Sequence, residues 1–323
     1  MEFELAVEEE FICAAAGITL EEYYASPAAM LSAQVKTRDT LQSLYGCGQF
    51  VQFYPMLTSY AEASVFGAEV AFGTGNQIPW LLNSPLFGDI DEALGAPLIW
   101  GEAQDLVTRT LCYYREMRRM AGSELPICIE KCVSGPVTTA VLLLGEDFFA
   151  ELLCERHKAV ALLAKITEVE LEIRHRIQQA TGSAMNCTWI FDDYAGMISP
   201  ALYREAVLPC YMRIYNAYGR FGRVLHSELL SREHLTAAKE VLDISYFNPA
   251  SAQNITIPEI REVMGPYFDW QIKPADLAME PDALISLLRE VRGQNPPAVS
   301  LYPYSDTPPE NLALAIDFLR TGG

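Results

Sequence analysis

Residues 223–235, RVLHSELLSREHL, deliver His226 and Glu228 one residue apart at the end of a short apolar run. Side chains two positions apart on an extended segment point to the same side and can converge on one atom. An imidazole nitrogen and a carboxylate oxygen both ligate Zn²⁺, and a catalytic zinc site takes about three protein ligands with one position left open. The pair supplies two of them. A structural alternative stands beside this reading, in which the histidine bonds a neighbouring carboxylate.

Asp192 and Asp193 close another apolar run, MNCTWIFDDY. Paired carboxylates shift each other's proton affinity, so they offer a further ligand or a general acid/base, and equally either can cap the next helix. Glu205, early in that helix, is another candidate ligand, although an acid there also suits the helix dipole. Lys273, after FDWQI, could hold an anionic group of a substrate. Cys128 and Cys132, four apart on one side of a strand, admit metal ligation, with core packing the plainer reading. His157 and His175 lie on a helix whose buried stripe is Val160, Leu163, Ile166, Ile173 and Ile177, which puts them at the surface. His234 opens a helix and reads as a capping-region residue.

Five strand-then-helix units position these residues over 185–320. Their helices carry start signals: Ser199 before Pro200, Ser231, the Thr256/Glu259 capping-box spacing, Pro281, and the Thr307/Glu310 spacing. Strands alternating with helices imply a parallel sheet. Three further strands are predicted at 49–55, 68–73 and 125–130, and eight in all fit an α/β fold of the (β/α)₈ TIM-barrel type. No GxGxxG or GxxxxGK[ST] follows any of them, which weakens a nucleotide-binding open sheet. Residues 1–45, helical in pattern, are expected as an N-terminal extension to a barrel over 46–323. In such a barrel the strand ends form the active site. Those ends hold Glu130, Lys131, Asp192, Asp193, His226, Glu228, Asn248, Lys273, Tyr302 and Tyr304.

With 42 acidic against 23 basic residues the formal net charge is -19, which disfavours a nucleic-acid partner. The densest basic run, YYREMRRM, reads as one solvated helix face. Neither a signal peptide nor an apolar run long enough to span a membrane is evident, so a cytoplasmic location is expected. The eight cysteines show no CxxC pair or framework spacing and are expected as free thiols.

Several segments together, SGPVTTAVLLLG, DDYAGMISPALYREAVLPCYMRIY, RVLHSE, FNP and TPPENLALAIDF, resemble the uroporphyrinogen decarboxylase-like superfamily in order over about residues 60–320. The resemblance implies a (β/α)₈ barrel and two kinds of enzyme: porphyrinogen decarboxylases, and zinc-dependent methyltransferases that work with a corrinoid protein. The decarboxylases carry an arginine-rich N-terminal motif, and residues 1–60 contain nothing similar. In the thiol-directed methyltransferases a His-x-Cys pair and a later Cys bind zinc. Here the histidine is His226, Glu228 stands at the cysteine position, and Leu301 or Tyr302 stands where the later cysteine would be.

A site of histidine and carboxylates leaves zinc more electron-poor than one with thiolates, which suits activation of an oxygen. The expectation is therefore transfer of a methyl group from a methoxy substrate, an aromatic methyl ether, to the Co(I) of a partner corrinoid protein. His226 and Glu228 would hold the metal, with Asp192, Asp193 and Lys273 as catalytic candidates. Tyr54, Trp80, Tyr194, Phe247 and Tyr302 would line the substrate pocket, although each could equally be core. Alternatives are an amine or thioether methyl donor, or a catalytically silent barrel that binds corrinoid or a partner. A homodimer is compatible with all of these.

Overall fold

The computed structural model describes residues 2–57, 59–101, 105–129, 134–182, 187–250, 252 and 254–321. Among the described residues there are eight strands: β1 (Glu2–Leu5), β2 (Val70–Ala71), β3 (Trp80–Leu81), β4 (Cys187–Phe191), β5 (Gly222–His226), β6 (Tyr246–Asn248), β7 (Asp269–Ile272) and β8 (Ala298–Leu301). The five C-terminal strands alternate with helices as expected, and β4-β5-β6 and β7-β8-β1 form two parallel sheets. A bridge from Phe247 to Phe268 links the sheets into one arc, and a bridge from Ser134 to Phe191 extends it beyond β4. The result is an α/β, TIM-barrel-like arc. The described residues do not form a closed eight-stranded ladder.

The upstream expectations need correction. Among the described residues, segments 49–55 and 125–130 form no regular strand and pair through an isolated parallel bridge between Phe53 and Ile127. Segment 68–73 is no barrel strand: β2 pairs antiparallel with β3, because the turn-forming GTGN between them favours a local return over a long crossover. Residues 1–45 are not wholly outside the sheet either. They include helices Glu9–Ala16, Leu20–Tyr24 and Pro27–Tyr45, yet β1 pairs with β8, Glu4 opposite Ser300. Four residues of alternation are too few to announce that strand.

Period-two alternation sorts the arc into two faces. Ile190, Leu225, Phe247, Ile272, Val299 and Leu301, all essentially fully buried, pack in the main hydrophobic core. Burial of each such side chain contributes about 1.5–3 kcal/mol. Trp189, Phe191, His226, Asn248, Gln271 and Ser300 occupy the alternate positions and line one cavity.

The helix after β4 is not continuous. It runs Pro200–Leu202, a π turn Tyr203–Val207, then Leu208–Tyr218. Pro209 has no N–H to give and its ring crowds the preceding turn, and the wider turn relieves both problems. Among the described residues no helix is long and apolar enough to cross a membrane, and the described cysteines are free.

Charges are also buried. Glu62, Glu170 and Arg174 are fully buried, and both carboxylate oxygens of Glu62 lack a hydrogen-bond partner among the described residues. Burial, with the nearby Glu170 charge, pushes the Glu62 carboxyl well above its usual range. Burial raises Glu170 to about 8, against the pull of Arg174, and burial with the charge of Glu8 raises Glu9 to about 7. The folded chain therefore binds more protons than the unfolded chain from about pH 4.5 to about pH 8. That contribution is complete below the ordinary carboxyl pKa and is lost as pH rises through the folded values. Thermal melts should show the melting temperature falling between about pH 5.5 and pH 8.5, and Glu62→Gln should flatten the fall. A wild-type profile rising over that range would refute the buried-proton account.

Candidate active site

A cavity of about 390 Å³ opens at the C-terminal ends of the strands, the end where barrel enzymes build their sites. His226, at the end of β5, sits between Phe191 and Asn248 in register across β4-β5-β6. Asn248 Oδ1 accepts the Ala250 N–H at 3.1 Å, and its Nδ2 donates to Asp269 Oδ2 at 2.7 Å. The amide is thereby oriented with Oδ1 2.7 Å from His226 Nδ1, so Nδ1 carries the hydrogen and donates it. Nε2 is left to face the site.

Asp193 Oδ1 lies 3.4 Å from that Nε2, and the atom is shielded from solvent without a hydrogen-bond partner among the described residues. Two ligand atoms on one tetrahedral zinc stand about 3.3 Å apart, given ligand distances of about 2.0–2.1 Å. The pair therefore has the spacing of two metal ligands, with an orphaned oxygen as one of them. Glu228 lines the same cavity. Its carboxylate does not close a compact triad with the other two: among the described residues only Glu8, Glu9 and Glu10 bring three ligand atoms within 4.8 Å of one another. Without a metal, His226 holds a proton more readily than usual: burial pushes its pKa down, but Asp193, Asn248 and the Glu228 charge outweigh that and raise it.

The remaining walls are Trp189 and Phe191, stacked with centroids 5.5 Å apart and planes at 13°, together with Gln271, Ser300, Tyr302, Glu4 and Glu8. The Tyr302 hydroxyl donates to Glu8. Burial raises the Glu8 carboxyl, while Tyr302 pulls it back, Glu10 adds to the rise and His226 opposes it. Sequence reasoning missed Glu4 and Glu8 because β1 was not legible. It missed Trp189, Gln271 and Ser300 because they lie inside strands rather than at their ends.

The cavity thus gathers His226, Glu228, Asp193 and Tyr302 from the expected set, and Asn248 with them. The other candidates lie elsewhere. Asp192 is fully buried and accepts hydrogen bonds from Val137 N, Thr138 N, Thr138 Oγ1 and Tyr211 OH, so it caps the helix Pro136–Leu144 instead of facing a substrate. Phe247 points to the outer face and is core. Tyr54 is tied to Gln34 through its backbone and packs on the N-terminal helices. Trp80 is an exposed residue of β3, and Tyr194 is exposed on the turn Asp193–Met197. Lys273 begins the short helix Pro274–Leu277 and does not line the cavity.

Glu205 is on the surface, paired with Arg156 at 3.1 Å. His157 and His175 are exposed as expected, but so is Val160 of the supposed stripe. His234 is buried in a cap, its Nδ1 2.8 Å from Ser231 Oγ. Glu130, Lys131 and Cys132 lie outside the described residues, and Cys128 is exposed beside Phe53.

Residues 7–247 match the family described as Uroporphyrinogen decarboxylase (URO-D). Among solved structures, a methyltransferase from Methanosarcina mazei is similar in fold, with a TM-score of 0.69 at 16% identity over 99% of this chain and 94% of that one. No curated protein matches the sequence.

Proposed function

Because the chain belongs to the uroporphyrinogen decarboxylase family, we propose that it is a zinc-dependent methyltransferase of that family, passing a methyl group from a methoxy donor to the Co(I) of a corrinoid on a partner protein. One observation carries the choice of chemistry: among the described residues the cavity presents His226 and four carboxylates, Glu4, Glu8, Asp193 and Glu228, and no lysine or arginine. A porphyrinogen bearing many carboxylates would meet like charge there and no counter-ion. The likeness in fold to a protein named a methyltransferase supports the same side of the family.

His226 through Nε2, Asp193 and Glu228 are the residues that would hold the metal. Zinc on such a nitrogen-and-oxygen set supplies Lewis-acid polarisation of the donor oxygen. Asn248 fixes the histidine tautomer and ring plane, as outer partners of metal-bound histidines do. The Trp189–Phe191 stack offers a flat wall for an aromatic ring. As the methyl leaves, the oxygen keeps the electron pair of the C–O bond and takes a proton. Glu8, whose carboxyl holds a proton more readily than usual because the surrounding protein desolvates it, stands in the same cavity to return one.

Metal analysis of the purified chain is the test. About one zinc per chain is expected in the wild type, absent from His226→Ala, reduced in Glu228→Ala, and held about 10–100-fold more weakly in Asn248→Ala. Methyl transfer from an aryl methyl ether to a corrinoid protein should disappear with His226→Ala. A wild type that binds no added zinc would remove the metal mechanism and leave a silent barrel.

A further inference from the structure

Opposite the metal-ligand candidates, the cavity carries a polar row that the reaction above does not use. Glu4 on β1, Ser300 on β8 and Gln271 on β7 are aligned in register across three neighbouring strands. The arc β1-β8-β7-β6-β5-β4 places Gln271 two strands, Ser300 three and Glu4 four from the strand that carries His226, all lining the same cavity. Ser300 is 2% exposed and Gln271 is 7% exposed. Polar side chains buried this deeply are normally hydrogen-bonded. Among the described residues neither has a side-chain hydrogen bond, although both line the cavity. They are polar ends aimed into a space that a ligand would fill.

The composition of the row fixes the chemistry of that ligand. A carboxylate, an amide and a hydroxyl together accept several hydrogen bonds, and with no lysine or arginine among the described lining residues an anion finds no counter-ion there. An ammonium group satisfies all three, with three donors and the opposite charge.

Resting on the methyltransferase reading, we infer that the methyl donor is a cationic amine, a methoxyaryl-alkylamine whose ammonium is held by Glu4, Gln271 and Ser300 while its methoxy oxygen faces His226 and Asp193. The aromatic body between the two ends lies along the Trp189–Phe191 stack. Discrimination comes from the far end. A donor with a carboxylate in place of the amine would be rejected by Glu4, and a neutral donor would leave Glu4 without its counter-charge.

The test is binding, read by quenching of tryptophan fluorescence or by calorimetry on the zinc-supplemented full chain. The probes share one ring and differ in charge: 4-methoxybenzylamine, 4-methoxybenzyl alcohol and 4-methoxybenzoate. The amine should bind about tenfold or more tighter than the alcohol, and the benzoate weakest. Glu4→Gln should remove the amine's advantage and leave the alcohol unchanged. An alcohol or benzoate that binds as tightly as the amine in the wild type would overturn the inference, as would a Glu4→Gln variant that weakens all three alike. Failure of the methyltransferase reading appears separately, as absent zinc or absent methyl transfer with the charge preference intact.

Discussion

Arg174→Met is expected to destabilise the protein by about 3–5 kcal/mol, because it leaves the buried Glu170 carboxyl, the Thr188 hydroxyl and the Trp189 carbonyl without their donor. Arg174 is fully buried on the long helix Arg156–Thr181. Its Nη1 donates to Glu170 Oε2 at 3.1 Å, its Nε to Thr188 Oγ1 at 3.1 Å, and its Nη2 to the Trp189 carbonyl at 2.9 Å. One guanidinium therefore donates to Glu170 and ties the helix to β4, the strand that carries the aromatic wall of the cavity.

Methionine fills the stem but supplies no charge or donor. Urea denaturation should show the loss directly, and the double variant Glu170→Leu/Arg174→Met should recover most of it, since replacing both partners of a buried ion pair by apolar groups is often neutral. A single variant within about 1 kcal/mol of wild type would show that the helix does not need this anchor. A double variant no better than the single would assign the cost to Thr188 and Trp189 instead.

Much of the C-terminal half was legible because its signals are local. Ser199 caps Leu202 N, and Thr256 and Glu259 form their capping box, since such contacts need only three or four residues of chain. Thr307 departed from that rule: it accepts from Tyr304 N and stabilises the preceding turn, while the helix starts at Pro309. His226 and Glu228, two apart in sequence, line the same cavity.

The features that escaped are those decided by distant partners. β1 exists because β8 offers it an edge, and Glu4 enters the cavity only as a consequence. Asp192 and Asp193 are adjacent in sequence, yet one is sealed beneath a helix and the other faces His226. At the end of a strand, neighbouring side chains point to opposite sides, and a run of two acids does not say which side each takes.

That division leads to the second large effect. Asp192→Ala should destabilise the fold by about 3–5 kcal/mol and leave metal binding intact in the molecules that remain folded. Its carboxylate receives Val137 N–H at 3.0 Å, Thr138 N–H at 2.7 Å, Thr138 Oγ1 at 2.8 Å and Tyr211 OH at 2.7 Å. Alanine abandons all four donors in a dry interior. Burial pushes the Asp192 carboxyl up to about 6, and the four donors limit the rise, so it is ionised at neutral pH and complements the N-terminus of the helix Pro136–Leu144.

The fit around Asp192 is close enough to constrain a neighbour. A Cβ on Gly135 would stand 2.5 Å from Asp192 Cβ, so Gly135→Ala should destabilise by displacing the same carboxylate. Asn at position 192 keeps one acceptor oxygen and should fall between wild type and alanine. The cavity survives in each case because the links to it run through backbone and through Ser227: Asp192 N–H donates to the His226 carbonyl, and Ser227 Oγ donates to the Asp192 carbonyl. A catalytic acid would behave in the opposite way, with Asp192→Asn stable and inactive. Denaturation curves and zinc content measured on the same preparations separate the two, and an Asp192→Asn protein with wild-type stability and no activity would return Asp192 to the chemistry.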